Sequence, residues 1–340
     1  MQTKKVLITG ITGFLGSHTA IAFLNKGYEV VGTLRNLERK NSVEDIINKH
    51  SSNTQLLSFR EIDLESSEKE WVEVMENIDY VIHIASPFPT TLPKTDNEIV
   101  TPAKQGTLNV LKAATQSKVK KVIITSSSGA VVYGKKKIGL FTEEDWTDVS
   151  NYDDTTPYFR SKTIAEQAAW HYVETTPDAP ELVTILPGAI LGPILENDFG
   201  TSANLVKKLL DGSMPAMPKI GYELVDVRSV ASAFILAVEN EKANGNRFLC
   251  ANGFLTFSDI ANILREKYPE RKIPKSTLPD FVVKLFSNID KETKPILNDL
   301  NTKRQIDNSK IKTMLHIDFI DLKKSVLDCA ESLIIQKVIK

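Results

Sequence analysis

Tyr158 and Lys162 stand four residues apart in the run Pro157-Tyr158-Phe159-Arg160-Ser161-Lys162, ahead of the helical segment TIAEQAAWHYV. On a helix that spacing puts both side chains on one face. A phenol with a pKa of about 10 is a poor proton donor or acceptor near neutrality. An ammonium one turn away stabilises the phenolate and lowers that pKa. Such a pair suits delivery of a proton to an oxygen on which charge is developing, as when a carbonyl carbon accepts hydride. A hydroxyl aimed at the same oxygen polarises it further. Ser126, Ser127 and Ser128 offer three such hydroxyls just after the apolar run Lys121 to Thr125. A bare Tyr-x-x-x-Lys also arises as a surface pair, so its weight depends on what else the chain carries.

A hydride source has to be held beside such a pair, and the N-terminal stretch VLITGITGFLG is suited to hold one. Val6, Leu7 and Ile8 read as a strand buried on both faces. Gly10, Gly13 and Gly16 follow at spacing three. Ala20, Ile21, Phe23 and Leu24 then recur at helical spacing until Gly27, and a second strand runs from Tyr28 to Leu34. Within strand, turn and helix each glycine has a task. Gly10 permits the sharp turn, Gly13 admits a pyrophosphate against bare backbone, and Gly16 lets the helix pack closely on the strand. The first N–H groups of the helix face the phosphates. Arg35 stands at the tip of the second strand, with no Asp or Glu between Val30 and Asn36, and Arg39 and Lys40 follow. A carboxylate at that tip selects NAD through the ribose 2′-hydroxyl, whereas an arginine pairs with a 2′-phosphate. The expected cofactor is NADP(H).

The elements that must position these residues alternate along the chain. A helix is expected over 42–50, a strand over Leu56 to Ile62, a helix over Glu65 to Met75 and a strand over Tyr80 to Ile84. Ala85 and Ser86 close that strand with small side chains that let a cofactor lie against the backbone, and His83 reads as a packed strand histidine. A helix over Glu98 to Ser117, the strand Lys121 to Thr125 and a strand over Leu182 to Leu186 complete the pattern. Short apolar strands alternating with helices indicate an α/β fold with a doubly wound parallel sheet. After Gly192-Pro193 the pattern changes, with a helix over Ala203 to Asp211 and short proline-punctuated helices over 256–340. Two units are expected: residues 1–192 plus 221–250 as a Rossmann domain, and 193–220 plus 251–340 as a smaller, discontinuous, mostly helical substrate domain. Phe199, Met214 and Met217 are candidates to line an apolar pocket, and Asp226 is expected to cap a helix.

The bulk numbers fit this reading. Of 340 residues, 41% are hydrophobic and 25% charged, with a formal net charge of −1. That balance gives no global argument for nucleic-acid or membrane binding. The basic run Lys135 to Lys137 reads as a solvated turn. Cys250 and Cys329 offer neither metal spacing nor a disulfide framework. The first strand begins too early for a signal peptide, and no apolar run is long enough to span a bilayer. A cytoplasmic setting, a small-molecule substrate and a monomer or homodimer are the expectations.

The glycine turn, in TGxxGFxG form, resembles the extended branch of the short-chain dehydrogenase/reductase superfamily. TSSSG is similar to the TSSAG of plant dihydroflavonol reductases. AEQAAWHYV, LPGAILGP, VDVRSVA, GNRFLCAN and LREKYPERKIP look like the group of dihydroflavonol reductases, cinnamoyl-CoA reductases and yeast methylglyoxal/aldehyde reductases. The likeness covers roughly residues 4 to 275. It implies Ser127, Tyr158 and Lys162 as catalysts, Ser127 matching the second serine of TSSAG. It implies that Gly10, Thr12, Gly13, Phe14, Leu15 and Gly16 meet the cofactor diphosphate, and Arg35, Asp63 and Leu64 its adenosine end. Ala85, Ser86, Pro187 and Ile190, together with Tyr158 and Lys162, complete the cofactor site, Pro187 lying against the nicotinamide and Lys162 holding the nicotinamide ribose. From spacing alone Asp63 could equally cap the following helix. The implied activity is NADPH-dependent reduction of an aldehyde or ketone to the alcohol, by an oxidoreductase acting on CH–OH or carbonyl groups. The loop AVVYGKKKIGL departs from the flavonoid-contacting segment of the plant enzymes, so a flavonoid substrate is not carried over. An NAD-dependent nucleotide-sugar epimerase or dehydratase shares the scaffold, but Arg35 argues against it. A non-catalytic NADP-binding regulator has nothing to motivate it, since every catalytic position is filled.

Overall fold

The computed structural model describes residues 3–87, 95–135, 139–197, 199–287 and 296–339, so Lys136 and Lys137 of the basic run lie outside the described residues. The first half contains β1 (Lys5–Thr9), α1 (Phe14–Asn25), β2 (Glu29–Leu34), α2 (Lys40–Asn48), β3 (Leu57–Glu61), α3 (Glu68–Val74) and β4 (Tyr80–His83). It continues with α4 (Asn97–Gln116), β5 (Lys121–Thr125), β6 (Leu140–Phe141), α5 (Pro157–Thr175) and β7 (Glu181–Pro187). Next come β8 (Ala189–Leu191), α6 (Thr201–Leu210), β9 (Gly221–Asp226), α7 (Val227–Glu239), β10 (Asn246–Cys250) and β11 (Phe254–Thr256). The last elements are α8 (Phe257–Lys267), α9 (Asp280–Ser287), β12 (Gln305–Ile306), α10 (Ser309–Leu315) and α11 (Leu322–Ile335).

Seven strands form one parallel sheet in the order β10-β7-β5-β4-β1-β2-β3. The apolar runs demand cover on both faces. Val6 and Ile8 of β1 pack with α1 and α7 on one side, while Leu7 packs with α3 and α4 on the other. All three are fully buried, and burial of each is worth about 2 kcal/mol relative to exposure. Chain order reverses between β1 and β4, which opens a crevice beyond their carboxyl ends.

A second core forms around α6, α8 and α11, with Val206, Leu209, Ile260, Leu264, Val326 and Leu333 at its centre. A separate three-stranded sheet, β11-β9-β8, lies beside it. The packing departs from the expected division at two places. β9 pairs with β8 and β11 instead of joining the large sheet. Gly188 makes this possible: a Cβ there would stand 2.3 Å from the Glu223 carbonyl oxygen, so only glycine lets the chain leave β7 so close to β9. And α10 buries Ile311 and Leu315, four residues apart, in the first core, not the second. Met217 is fully buried in the second core, with Phe199 and Met214 packed against it. α3 starts at Glu68, later than expected, because Ser67 and Glu70 close a capping box.

Candidate active site

The glycine turn is held by backbone and one serine. Gly13 N donates to Gly10 O at 3.1 Å, and Ser17 Oγ donates to Ile11 O and Gly13 O, both at 3.1 Å. Gly10 has φ +71°, and a Cβ on it would lie 3.0 Å from the Ala85 nitrogen. The ends of β1 and β4 therefore touch through bare backbone. A Cβ on Gly16 would stand 2.1 Å from Gly10 O, so α1 packs on the turn as only glycine allows. At the exposed Gly13 a Cβ would meet only Gly10 O, at 3.6 Å, and would otherwise project into open space in front of the helix. Gly13 is the N-cap of α1, and no side chain caps its first N–H groups. A bare, uncapped helix start at the sheet's switch point fits a dinucleotide diphosphate. Thr12 and Phe14 are half-buried and Leu15 is buried. Phe14 packs against both cores and edge-on to His18. Burial pulls the His18 imidazole down to about 4, so its neutral ring donates Nε2–H to Pro193 O at 2.9 Å.

Thr9, which the sequence did not single out, fastens β1 to β4. Its Oγ1 accepts from the Ile84 and Ala85 nitrogens, each at 3.0 Å, and lies 3.0 Å from His83 Nδ1. Burial, with Lys162 nearby, pulls His83 down to about 3, so it is a neutral packed histidine. Arg35 is exposed at the end of β2. Asp63 does not cap α3: its Oδ1 accepts from Glu65 N at 2.9 Å in a turn that precedes the helix. Leu64 lies against Gly106 of α4. Pro187 is buried at the end of β7, and Ile190 lies half-buried on β8. Asp226 caps α7, as expected, accepting from Arg228 N at 2.8 Å.

At the end of β5 the three serines separate. Ser126 is buried and donates to Glu166 Oε2 at 2.6 Å. Ser127 Oγ accepts from Gly129 N at 3.0 Å and hydrogen-bonds the Tyr158 hydroxyl. The Thr156 side chain and Pro157 start α5, so Tyr158 sits in its first turn and Lys162 one turn further on the same face. Burial pushes the Tyr158 phenol above its ordinary value, and the Ser127 bond pulls it back. Burial lowers Lys162 to about 8, opposed by Glu166. Its ammonium donates to Thr125 O at 3.1 Å. So the Lys162 ammonium bonds the β5 carbonyl, while Ser127 is the group that hydrogen-bonds the phenol. Ala85, Ser86, Thr125 and Lys162 border one small cavity, so the ends of β4 and β5 and the face of α5 converge. The Thr125 Oγ1 there is buried without a hydrogen-bond partner among the described residues. No set of metal-binding side chains occurs among the described residues. Nor is any described helix long and apolar enough to cross a membrane.

A glycine-turn Rossmann sheet carrying Ser, Tyr and Lys at the end of β5 and on α5 defines a class, and the chain falls in it. Residues 6–251 match the NAD dependent epimerase/dehydratase family, and the chain belongs to that family, within the extended short-chain dehydrogenases/reductases. Among its relatives, cinnamoyl-CoA reductase CAD2 of Medicago truncatula is 32% identical over 280 residues, covering 81% of this chain and 84% of that protein. The crystal structure of Gre2 from Candida albicans in complex with NADPH superposes with a TM-score of 0.81 at 28% identity, covering 98% of this chain and 99% of that one. Yeast methylglyoxal/isovaleraldehyde reductase Gre2 complexed with NADPH also gives 0.81, at 25% identity, covering 98% of this chain and 100% of that one.

Proposed function

We propose that this protein is an NADPH-dependent reductase that converts an aldehyde or ketone to its alcohol. The observation that carries the reading is the Ser127–Tyr158 hydrogen bond on the α5 face that carries Lys162, which converges with the β4 end that touches the bare glycine turn. The NADPH-bound state of the two Gre2 structures and the reductase names of the plant and yeast proteins support it. NADPH, when bound, supplies the hydride. Gly10, Thr12, Gly13, Phe14, Leu15 and Gly16 take the diphosphate through backbone N–H groups, and Arg35 takes the 2′-phosphate. Asp63 and Leu64 would border the adenine, Ala85 and Ser86 the middle of the cofactor, and Pro187 and Ile190 the nicotinamide.

The chain's own part in the chemistry follows from the protonation states. Burial keeps Tyr158 a protonated phenol at neutral pH, so it is poised to give its proton to the developing alkoxide. Ser127 turns its hydroxyl to the same oxygen and steadies the negative charge. Lys162, cationic below about 8, stabilises the phenolate that remains. NADPH consumption, followed by its absorbance against short and aromatic aldehydes, α-keto esters, diketones and a hydroxycinnamoyl-CoA, with NADH in parallel, tests the reading. Turnover with NADPH well above NADH is expected. Silence on every carbonyl, with NAD released on denaturation, would replace it with a nucleotide-sugar epimerase or dehydratase.

A further inference from the structure

Behind the three catalytic side chains lies a buried carboxylate that the proposed chemistry does not use. Glu166 sits on α5 one turn beyond Lys162 and is almost fully buried. Its Oε2 accepts from Ser126 Oγ at 2.6 Å. Its Oε1 accepts from Thr184 Oγ1 at 2.7 Å and from Arg247 Nε at 2.8 Å. Arg247 Nη2 reaches Oε2 at 3.3 Å, and the guanidinium stacks 3.5 Å over the Trp146 ring. One carboxylate thus joins β5, β7, β10 and α5. A buried charge this thoroughly hydrogen-bonded is costly to break and fixes its partners' geometry.

We propose that Glu166 is the positioning residue of this active site: it ties the Ser126–Ser127 end of β5 to the Tyr158–Lys162 face of α5 and presents the negative charge that faces the Lys162 ammonium. The inference rests on the reductase reading for its meaning, though not for its geometry. Ser126 is adjacent to Ser127, so its bond to Glu166 sets where Ser127 stands relative to Tyr158. Glu166, Ser126, Thr125, Lys162 and His83 border the same small cavity, so the carboxylate and the ammonium line one space. The charged and titratable groups around Lys162 are few. β4 gives the neutral His83, α5 gives Tyr158 and Glu166, and β10 gives Arg247 behind Glu166. β5 and α4 give only the hydroxyls of Thr125, Ser126 and Thr107. Removing Glu166's charge would take away the carboxylate that opposes the lowering of Lys162 by burial, which disfavours the ammonium.

The test reads Lys162 directly. In protein carrying 13C-lysine, the Lys162 side-chain resonance is assigned by its disappearance in Lys162→Met and titrated against pH. In Glu166→Gln its midpoint is expected to fall by about one pH unit, a tenfold change in the protonation equilibrium. Glu166→Asp, which keeps the charge, is expected to restore most of it. An unchanged midpoint in folded Glu166→Gln would overturn the proposal. Should that variant fail to fold, Ser126→Ala cuts only the tie to β5. It is expected to lower kcat several-fold while leaving the KM for NADPH and the Lys162 midpoint in place, and an unchanged kcat would refute the tie. The midpoint needs no substrate, so wild-type protein inactive on every carbonyl would sink the reductase reading and leave the Glu166 result standing by itself.

Discussion

The ends of β1 and β5 lie on the same edge of the parallel sheet, yet the glycine turn presents bare N–H groups there whereas Ser127, Tyr158 and Lys162 present side chains. On the proposed reading, recognition at β1 comes from what is missing: no Cβ at Gly10, Gly13 or Gly16, and no side-chain cap on α1. At β5 it comes from side chains held by other side chains, with Glu166 and Arg247 fixing the layer beneath. A backbone site fails when an atom is added, and a side-chain site fails when one is removed or loses its charge. The two ends should therefore answer differently to small changes.

Adding one carbon at the first end should have the largest effect on cofactor binding. In Gly16→Ala the new Cβ would collide with Gly10 O, forcing α1 off the turn. Overpacking of this kind costs about 1–3 kcal/mol of stability, and NADPH affinity is expected to fall by about a hundredfold as the N–H groups lose their aim, which is about 2.7 kcal/mol. Fluorescence titration with NADPH and a thermal melt check both. An affinity within twofold of wild type would show that the turn tolerates a methyl. At the outer edge of the same end, Arg35→Ala should raise the KM for NADPH ten- to a hundredfold, since a charge-assisted hydrogen bond is worth about 1.5–3 kcal/mol. KM for NADH should stay put, because NADH lacks the 2′-phosphate. Equal losses for both cofactors would assign Arg35 a structural role.

The β5 end should answer to pH. Lys162 titrates near 8, below its ordinary value because it is buried. The sign follows from which form works: the ammonium supports the phenolate, so kcat/KM should be flat below about 8 and fall about tenfold per pH unit above it. A profile still flat at pH 10 would mean that the ammonium is not needed.

Much of the fold around the proposed site was legible in the chain because its signals are local. The glycine spacing, the apolar run of β1 and the Tyr158–Lys162 interval each lie within one turn or one strand. The elements around them fell within a few residues of expectation for the same reason. What the sequence hid depends on partners far apart. Glu166 meets Arg247 across 81 residues and Thr9 meets His83 across 74, and nothing in either neighbourhood marks them as pairs. The direction of the Lys162 ammonium was also invisible, since spacing says which face a side chain shares but not which carbonyl it chooses. The place of β9 and α10 turned on Gly188 and on two buried apolar residues, features too slight to outweigh the composition of their segments.

The central claim is that Tyr158 supplies the proton while other residues hold the cofactor. Tyr158→Phe keeps the ring and removes only the hydroxyl. The measurement is kcat for the best carbonyl substrate alongside NADPH affinity by fluorescence, in wild type and variant. The account predicts that kcat drops by about 10²–10⁴-fold while NADPH binds within a few-fold of wild type. Turnover near the wild-type rate with NADPH bound would contradict it.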